Sequence, residues 1–141
     1  IKKNITRSKV NRKKMVVCNE NLGKDALTEY QIKRKFDFEK LSVCLYECKL
    51  HTGRTHQIRV HLHHIGVPLI GDFVYKNNIN KDYLPTKIKE NIEKNFIIPK
   101  RQALHAESIG FFHPHKKKTM FFDSKEPPEF KDLITLLEKY S

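Results

Sequence analysis

Long apolar runs are missing from this 141-residue chain. No stretch approaches the roughly 20 consecutive apolar residues needed to cross a bilayer, so a membrane-spanning helix is excluded, and no signal-peptide pattern opens the sequence. Cysteine is scarce too: Cys18, Cys44 and Cys48 are the only three, with no Cys-x-x-Cys spacing. An odd count leaves one thiol unpaired at best, which points away from a disulfide scaffold and toward reduced thiols in an intracellular protein. Acidic residues are the third shortage, 16 Asp and Glu against 28 Lys and Arg, for a formal net charge of +12. Such an excess favours a polyanionic partner, and nucleic acid is the commonest; an anionic membrane surface is the rival. Hydrophobic residues make up 38%, enough for a folded core with polar segments around it. The length fits one domain.

Several chemical signatures are also lacking. The chain has eight histidines, yet His61 and His63 are two apart and His63 and His64 are adjacent. A helix presents two ligands together at i and i+4, and the His-Glu-x-x-His pattern is absent, so no metal site is expected. No glycine-rich phosphate loop or dinucleotide fingerprint occurs, so no cofactor is expected either. No Gly-x-Ser-x-Gly supports a hydrolase triad. Lys116, Lys117 and Lys118 read first as a solvated turn, and on so basic a chain as a contact to phosphate backbone.

Along the chain, strands and helices mix without regular βαβ alternation. The expected class is α+β, with a mixed, mostly antiparallel sheet and flanking helices. Residues 1–14 read as a polar, basic loop of a longer protein, carrying Arg12, Lys13 and Lys14. Residues 15–18 and 26–34 read as strands, and 41–50 alternates with Leu41, Val43 and Leu45 on one side. The charged residues 37–40 make a turn. Residues 77–101 are rich in Asn, Lys and Ile between two prolines, the composition of an inserted surface loop, with Ile88 and Ile92 marking a short helix. Residues 103–112 and 119–122 form an antiparallel hairpin. Pro127 and Pro128 lead into a helix whose apolar face is Phe130, Leu133, Ile134 and Leu137.

What stands out is residues 50–72, L-H-T-G-R-T-H-Q-I-R-V-H-L-H-H-I-G-V-P-L-I-G-D. Gly53 supplies the entering turn, Thr52 or Thr55 caps a helix, and Gly66 with Pro68 ends it. Ile58, Leu62 and Ile65 define its apolar face. An ordinary amphipathic helix explains those three. It does not explain why Gly53, Arg54, His56, Gln57 and Arg59 crowd the N-terminal end, where donors attract anions and polar rings.

The run L-x-T-G-R-T-H-Q-I-R-V-H-L-x-x-I-G-x-P-L-I-G-D-x-x-Y over residues 50–75 strongly resembles the third motif of RluA-type RNA pseudouridine synthases. Lys14-Met15 and Gly23-Lys24-x-Ala26-x-Thr28-x-Tyr30 resemble the strand region ahead of that motif. Leu104-His105-Ala106 and Phe112-His113-Pro114 resemble the hairpin after it, and residues 122–128, less closely, the closing segment. The resemblance covers nearly all of residues 1–141 as the C-terminal part of a synthase catalytic domain, with residues 77–101 as a Lys/Asn-rich insertion.

The resemblance implies an enzyme that flips a uridine out of RNA (tRNA or rRNA) and isomerises it without a cofactor. In the family the arginine of Gln-Ile-Arg pairs with the catalytic aspartate, which gives Arg59 that role. Arg54, His56 and Gln57 are expected to line the cleft or brace its loop. Leu104 is the expected apolar wall against the flipped base, and Arg12, Lys13, Lys14 and Lys117 are the expected RNA contacts. The family's Arg-Leu-Asp nucleophile motif and its tyrosine strand are absent, and both normally precede this region. Asp72 reads as structural. A trimmed piece of a synthase is expected to be inactive alone and to self-associate through apolar surface left uncovered. The alternative is a non-catalytic RNA-binding module on the same fold; a basic protein-interaction domain leaves the cluster at residues 53–59 unexplained.

Overall fold

The computed structural model describes residues 1–76 and 81–141. In chain order these form β1 (Asn4–Arg7), β2 (Met15–Cys18), β3 (Thr28–Phe38), β4 (Leu41–Leu50), α1 (Gln57–His64), α2 (Thr86–Ile92), β5 (Ser108–His113), β6 (Lys118–Asp123) and α3 (Pro128–Tyr140). The class is α+β. The pairing is antiparallel as expected from sequence, but in place of the one sheet expected there the strands form, among the described residues, three antiparallel pairs, β1–β2, β3–β4 and β5–β6. Each pair is a local hairpin, the arrangement with the lowest cost of loop closure. Isolated bridges, Lys2 to Leu27 and Ile5 to Lys24, tie the first pair to the segment entering β3.

Strand β1 corrects the expectation of a loop over residues 1–14. Ile5 is its one buried side chain, 2% exposed, between the polar Asn4 and Thr6. A single apolar residue is too little alternation to show in sequence. β3 and β4 run in register from Thr28 opposite Leu50 to Phe38 opposite Leu41, with a bulge between Ile32 and Arg34. The charged turn expected over 37–40 therefore narrows to Glu39 and Lys40. The β5–β6 hairpin begins at Ser108, not at 103. Ala103 instead donates its N–H to the Ile70 carbonyl at 2.8 Å, tying that stretch to the loop after α1.

The main core lies between the β3–β4 hairpin and helices α2 and α3. Here the expected surface loop is corrected. Residues 77–80 lie outside the described residues, but Leu84, Ile88, Ile92 and Phe96 are all buried, Ile88 completely. Leu84 stands just ahead of α2, and the other three recur every four residues through α2 and the π-helical turn Glu93–Ile97 that continues it. That spacing places them on one face, where they meet Phe36, Leu133 and Leu137. Lys87 and Lys94 between them are exposed, the solvated side of a core element, while Lys89, Asn91 and Asn95 are half-buried. α3 starts at Pro128 as expected, burying Leu133 and Leu137, with Phe130 and Ile134 half-buried. A second, smaller cluster joins Ile5, Ala26, Val60 and Tyr75, with Met15, Val17 and Val74 at its margin. It forms the floor beneath the motif of residues 50–75.

Because Ile88 has no exposed surface and sits between hairpin and helices, Ile88→Ala should cost about 2–5 kcal/mol through lost burial and the cavity left behind. Urea unfolding of the two proteins followed by circular dichroism would measure it. A loss below about 1 kcal/mol would place this segment outside the cooperative core.

Candidate active site

Helix α1 begins later than its sequence implies. Its N-cap is His56, in a left-handed backbone conformation at φ 57°, and no side chain caps it. The expected caps fail because Thr52 is used elsewhere: its hydroxyl donates to Gln57 Oε1 at 2.8 Å and accepts the Leu27 N–H at 2.9 Å. The unusual backbone angle falls on His56, not on Gly53. Gly66, at φ 83°, does end the helix. The buried face also differs. Gln57, Val60, His61 and Leu62 are buried, Ile58 is half-buried and Ile65 is exposed. The helix therefore seats two polar side chains where an apolar stripe was expected.

Those two meet one threonine. Thr28, the first residue of β3, has no exposed surface. Its Oγ1 lies 2.9 Å from His61 Nδ1 and 3.0 Å from Gln57 Nε2. His61 Nε2 lies 3.1 Å from the Lys3 carbonyl, and Gln57 Nε2 donates to the Leu27 carbonyl at 3.1 Å. Gln57 Oε1 accepts the Arg54 N–H at 2.9 Å. With 3% exposure and both ends of its amide engaged, Gln57 braces the Arg54 loop and presents nothing to a ligand. Burial of a buried polar group without partners is costly; here every one of these groups is matched.

On the other side of α1, Arg59 is gripped by Asp72. Arg59 Nε donates to Oδ2 at 2.7 Å and Nη2 to Oδ1 at 2.8 Å, a side-on fork. The Asp72 side chain has no exposed surface, and Arg59 keeps 13%. Oδ1 also accepts the N–H groups of Val74 and Tyr75, each at 2.9 Å. Burial alone would raise the Asp72 pKa, but the Arg59 bonds and those two amides outweigh it and hold the carboxyl below its ordinary range,. The Arg59 pKa is raised by the same bonds. Gly71 lets this turn close. At φ 75°, any Cβ there would collide with the Arg101 carbonyl and Phe96 Cβ, so the core segment after α2 presses directly on the turn that carries Asp72.

Tyr75 lies beneath the pair. It is 2% exposed, with the Arg59 guanidinium 5.2 Å and the Lys14 ammonium 5.9 Å from its ring centre, distances at which a ring face attracts a cation,. Its hydroxyl accepts the Met15 N–H at 2.8 Å and donates to the Met15 carbonyl at 3.2 Å. The His56 Nδ1 contact at 3.2 Å must then be a donation from the histidine,. Burial first, and then the nearby Arg59 charge, lower the His56 pKa. The His63 ring is 5.7 Å from Tyr75.

The fold thus brings Lys14, His56 and Arg59 together around Tyr75 and Asp72. Arg54 stays on the preceding loop, its Nε donating to the Asp25 carbonyl at 2.9 Å. Arg12 and Lys13 sit on the exposed β1–β2 turn. Lys117 is at the β5–β6 turn with φ 47°. Leu104 is 38% exposed. Among the described residues neither Leu104 nor Lys117 has a hydrogen bond or ring contact with the Tyr75 group. Sequence reasoning gave no role to Tyr75, although it closes the Gly-Asp-x-x-Tyr run. It also missed Thr28 and His61, whose importance is tertiary.

Burial dominates at His61 and lowers its pKa. A histidine in the unfolded chain protonates near pH 6.5, so the folded state binds that proton less readily. His61 therefore contributes stability that is present above about pH 6.5 and is lost as pH falls below it. The urea midpoint should drop between pH 7.5 and pH 5.5, and His61→Gln, which keeps one donor and one acceptor, should flatten the drop. An unchanged slope in that variant would assign the effect elsewhere, His56 first.

Residues 1–64 match a family model described as RNA pseudouridylate synthase. An RNA pseudouridine synthase of Aquifex aeolicus, itself described as uncharacterized, is 40% identical over 138 residues, which is 97% of this chain and 40% of that protein. The ribosomal large subunit pseudouridine synthase D of Buchnera aphidicola is 40% identical over 129 residues, 90% of this chain and 38% of that protein. The protein of the same name from Pseudomonas aeruginosa is 36% identical over 135 residues, 96% of this chain and 39% of that protein. The chain spans about two fifths of the length of these curated relatives.

Proposed function

Since the chain belongs to the RNA pseudouridine synthase family, we propose that the full-length protein isomerises uridine to pseudouridine in RNA. The bond from ribose C1′ to uracil N1 breaks, a bond from C1′ to C5 forms, C5 gives up its proton and N1 regains one. Relatives named for the large ribosomal subunit support rRNA as the substrate class over tRNA. The domain reading follows: residues 1–141 are the C-terminal part of the catalytic domain, and the nucleophilic aspartate comes from elsewhere in the full-length protein.

The observation that carries the reading is the state of Arg59. Its fork is held side-on by Asp72 through Nε and Nη2, and among the described residues no acceptor meets Nη1. A guanidinium has five N–H donors in one plane, so its remaining end suits a second carboxylate. That carboxylate is the catalytic aspartate. Asp72 serves as the fixed counter-ion that orients Arg59, and the second carboxylate stays ionised and aimed beside the guanidinium. Lys14 and His56 border the same spot. Arg12, Lys13 and Lys117 are proposed as phosphate contacts, Arg54 as a cleft contact, and Leu104 as an apolar wall. The β5–β6 hairpin leaves Ile109, Phe112 and Phe121 more than half exposed, which supports self-association of the isolated chain.

In the full-length enzyme, Arg59→Ala should abolish tritium release from a C5-tritiated large-subunit rRNA transcript while leaving RNA affinity within about threefold. Arg59→Lys should recover only part of the rate, because an ammonium lacks the planar fork, and it guards against misfolding from an orphaned Asp72. Near wild-type single-turnover rates in Arg59→Ala would remove Arg59 from the site.

RNA binding by the chain itself should be led by phosphate contacts, given its net charge of +12. With several phosphates neutralised, affinity falls by orders of magnitude between roughly 50 and 200 mM salt. Lys117→Ala should weaken binding to all RNAs and lower that salt slope by about one. A flat salt response in filter binding would argue against such an interface.

A further inference from the structure

We propose that Thr28, Gln57 and His61 are positioning residues for Arg59: their side chains form a one-way chain of hydrogen bonds that fixes the rotation of α1 against β3. Their role presupposes the isomerase activity proposed above. α1 has eight residues and no side-chain cap, far short of the length at which a helix holds itself together in water. Val60 and Leu62 are its only buried apolar side chains, and apolar contact is non-directional. Gln57 and His61 stand at i and i+4 on one face, and Arg59 lies about 200° around the helix from either. Any rotation that breaks their bonds to Thr28 swings Arg59 out of line with Asp72.

The direction of the chain follows from its ends. The Lys3 carbonyl can only accept, so His61 Nε2 carries a hydrogen,. In the neutral ring Nδ1 is then bare and takes the Thr28 hydroxyl hydrogen. Thr28 Oγ1 in turn accepts from Gln57 Nε2, whose second hydrogen goes to the Leu27 carbonyl. Gln57 Oε1 is left to accept from Thr52 and from the Arg54 amide, and Thr52 accepts from the Leu27 amide. A protonated His61 would turn a second hydrogen against the Thr28 hydroxyl. The chain thus runs without a break from the loop carrying Arg54, through β3 and α1, to the segment that begins β1. Directional bonds set an orientation that burial alone leaves loose.

The test uses the full-length enzyme and a C5-tritiated large-subunit rRNA transcript. Thr28→Val removes the hydroxyl at nearly constant volume, and Thr28→Ser keeps it. Expected for Thr28→Val is a single-turnover rate lower by on the order of ten- to a hundredfold, the scale for a small misplacement of a reacting group. RNA affinity should stay within about threefold, and Thr28→Ser should restore most of the rate. A Thr28→Val rate within about threefold of wild type overturns the proposal, as does an equal loss of rate and RNA affinity that Thr28→Ser does not recover. A second measurement needs no variant and no activity. Nitrogen NMR of the ¹⁵N-labelled unaltered protein at pH 7.5 should show His61 with hydrogen on Nε2 and a bare Nδ1. The other tautomer, or an imidazolium, overturns the hydrogen-bond chain even if Thr28→Val fails to fold. If the wild-type enzyme releases no tritium, the isomerase reading falls and the positioning role with it, while the ring nitrogens still decide whether the chain exists.

Discussion

The buried fork between Arg59 and Asp72 organises everything around it. A carboxylate with no exposed surface is tolerated only because four N–H groups converge on it, two from Arg59 and two from the backbone at Val74 and Tyr75. Meeting that demand dictates the local fold. The turn at Gly71 must close tightly against Arg101 and Phe96, Tyr75 must fold back under the guanidinium, and α1 must face Arg59 toward the turn. The main core and the site are coupled through that one glycine.

α1 is held from both sides by polar groups, an arrangement that favours a single orientation over sheer stability. Charged forks and buried hydrogen-bond networks gain little net energy once desolvation is counted, but each has one satisfactory geometry. On one side Asp72 fixes the guanidinium; on the other Thr28 receives Gln57 and His61. A helix of eight residues whose arginine must meet a buried aspartate has more need of a defined rotation than of additional buried area.

The basic charge is spread differently. Lys14 and Arg59 converge on Tyr75, whereas Arg12, Lys13 and Lys117 sit on hairpin turns. The first group is placed by packing and the second by exposure. The phenylalanines of β5 and β6, by contrast, lie exposed on their hairpin.

Periodicity and punctuation in the sequence alone were sufficient for the existence of strands β3 and β4, for the β5–β6 hairpin and for α3, because alternation, turn residues and a proline start are local signals. The motif of residues 50–75 was equally legible, and with it the family and the prominence of Arg59. What sequence could not supply was the partner of each polar side chain. Ile58, Leu62 and Ile65 suggested an apolar face, yet the helix is seated through Gln57, Val60 and His61, because Thr28 and the Lys3 carbonyl stand opposite. Residues 77–101 looked like an inserted surface loop, yet four apolar side chains among the described ones are part of the core. Strand β1 was hidden because its one buried apolar side chain, Ile5, stands between polar neighbours. In each case the deciding contact joins residues far apart in the chain, and only the closed fold brings the matching donor, acceptor or apolar surface within reach.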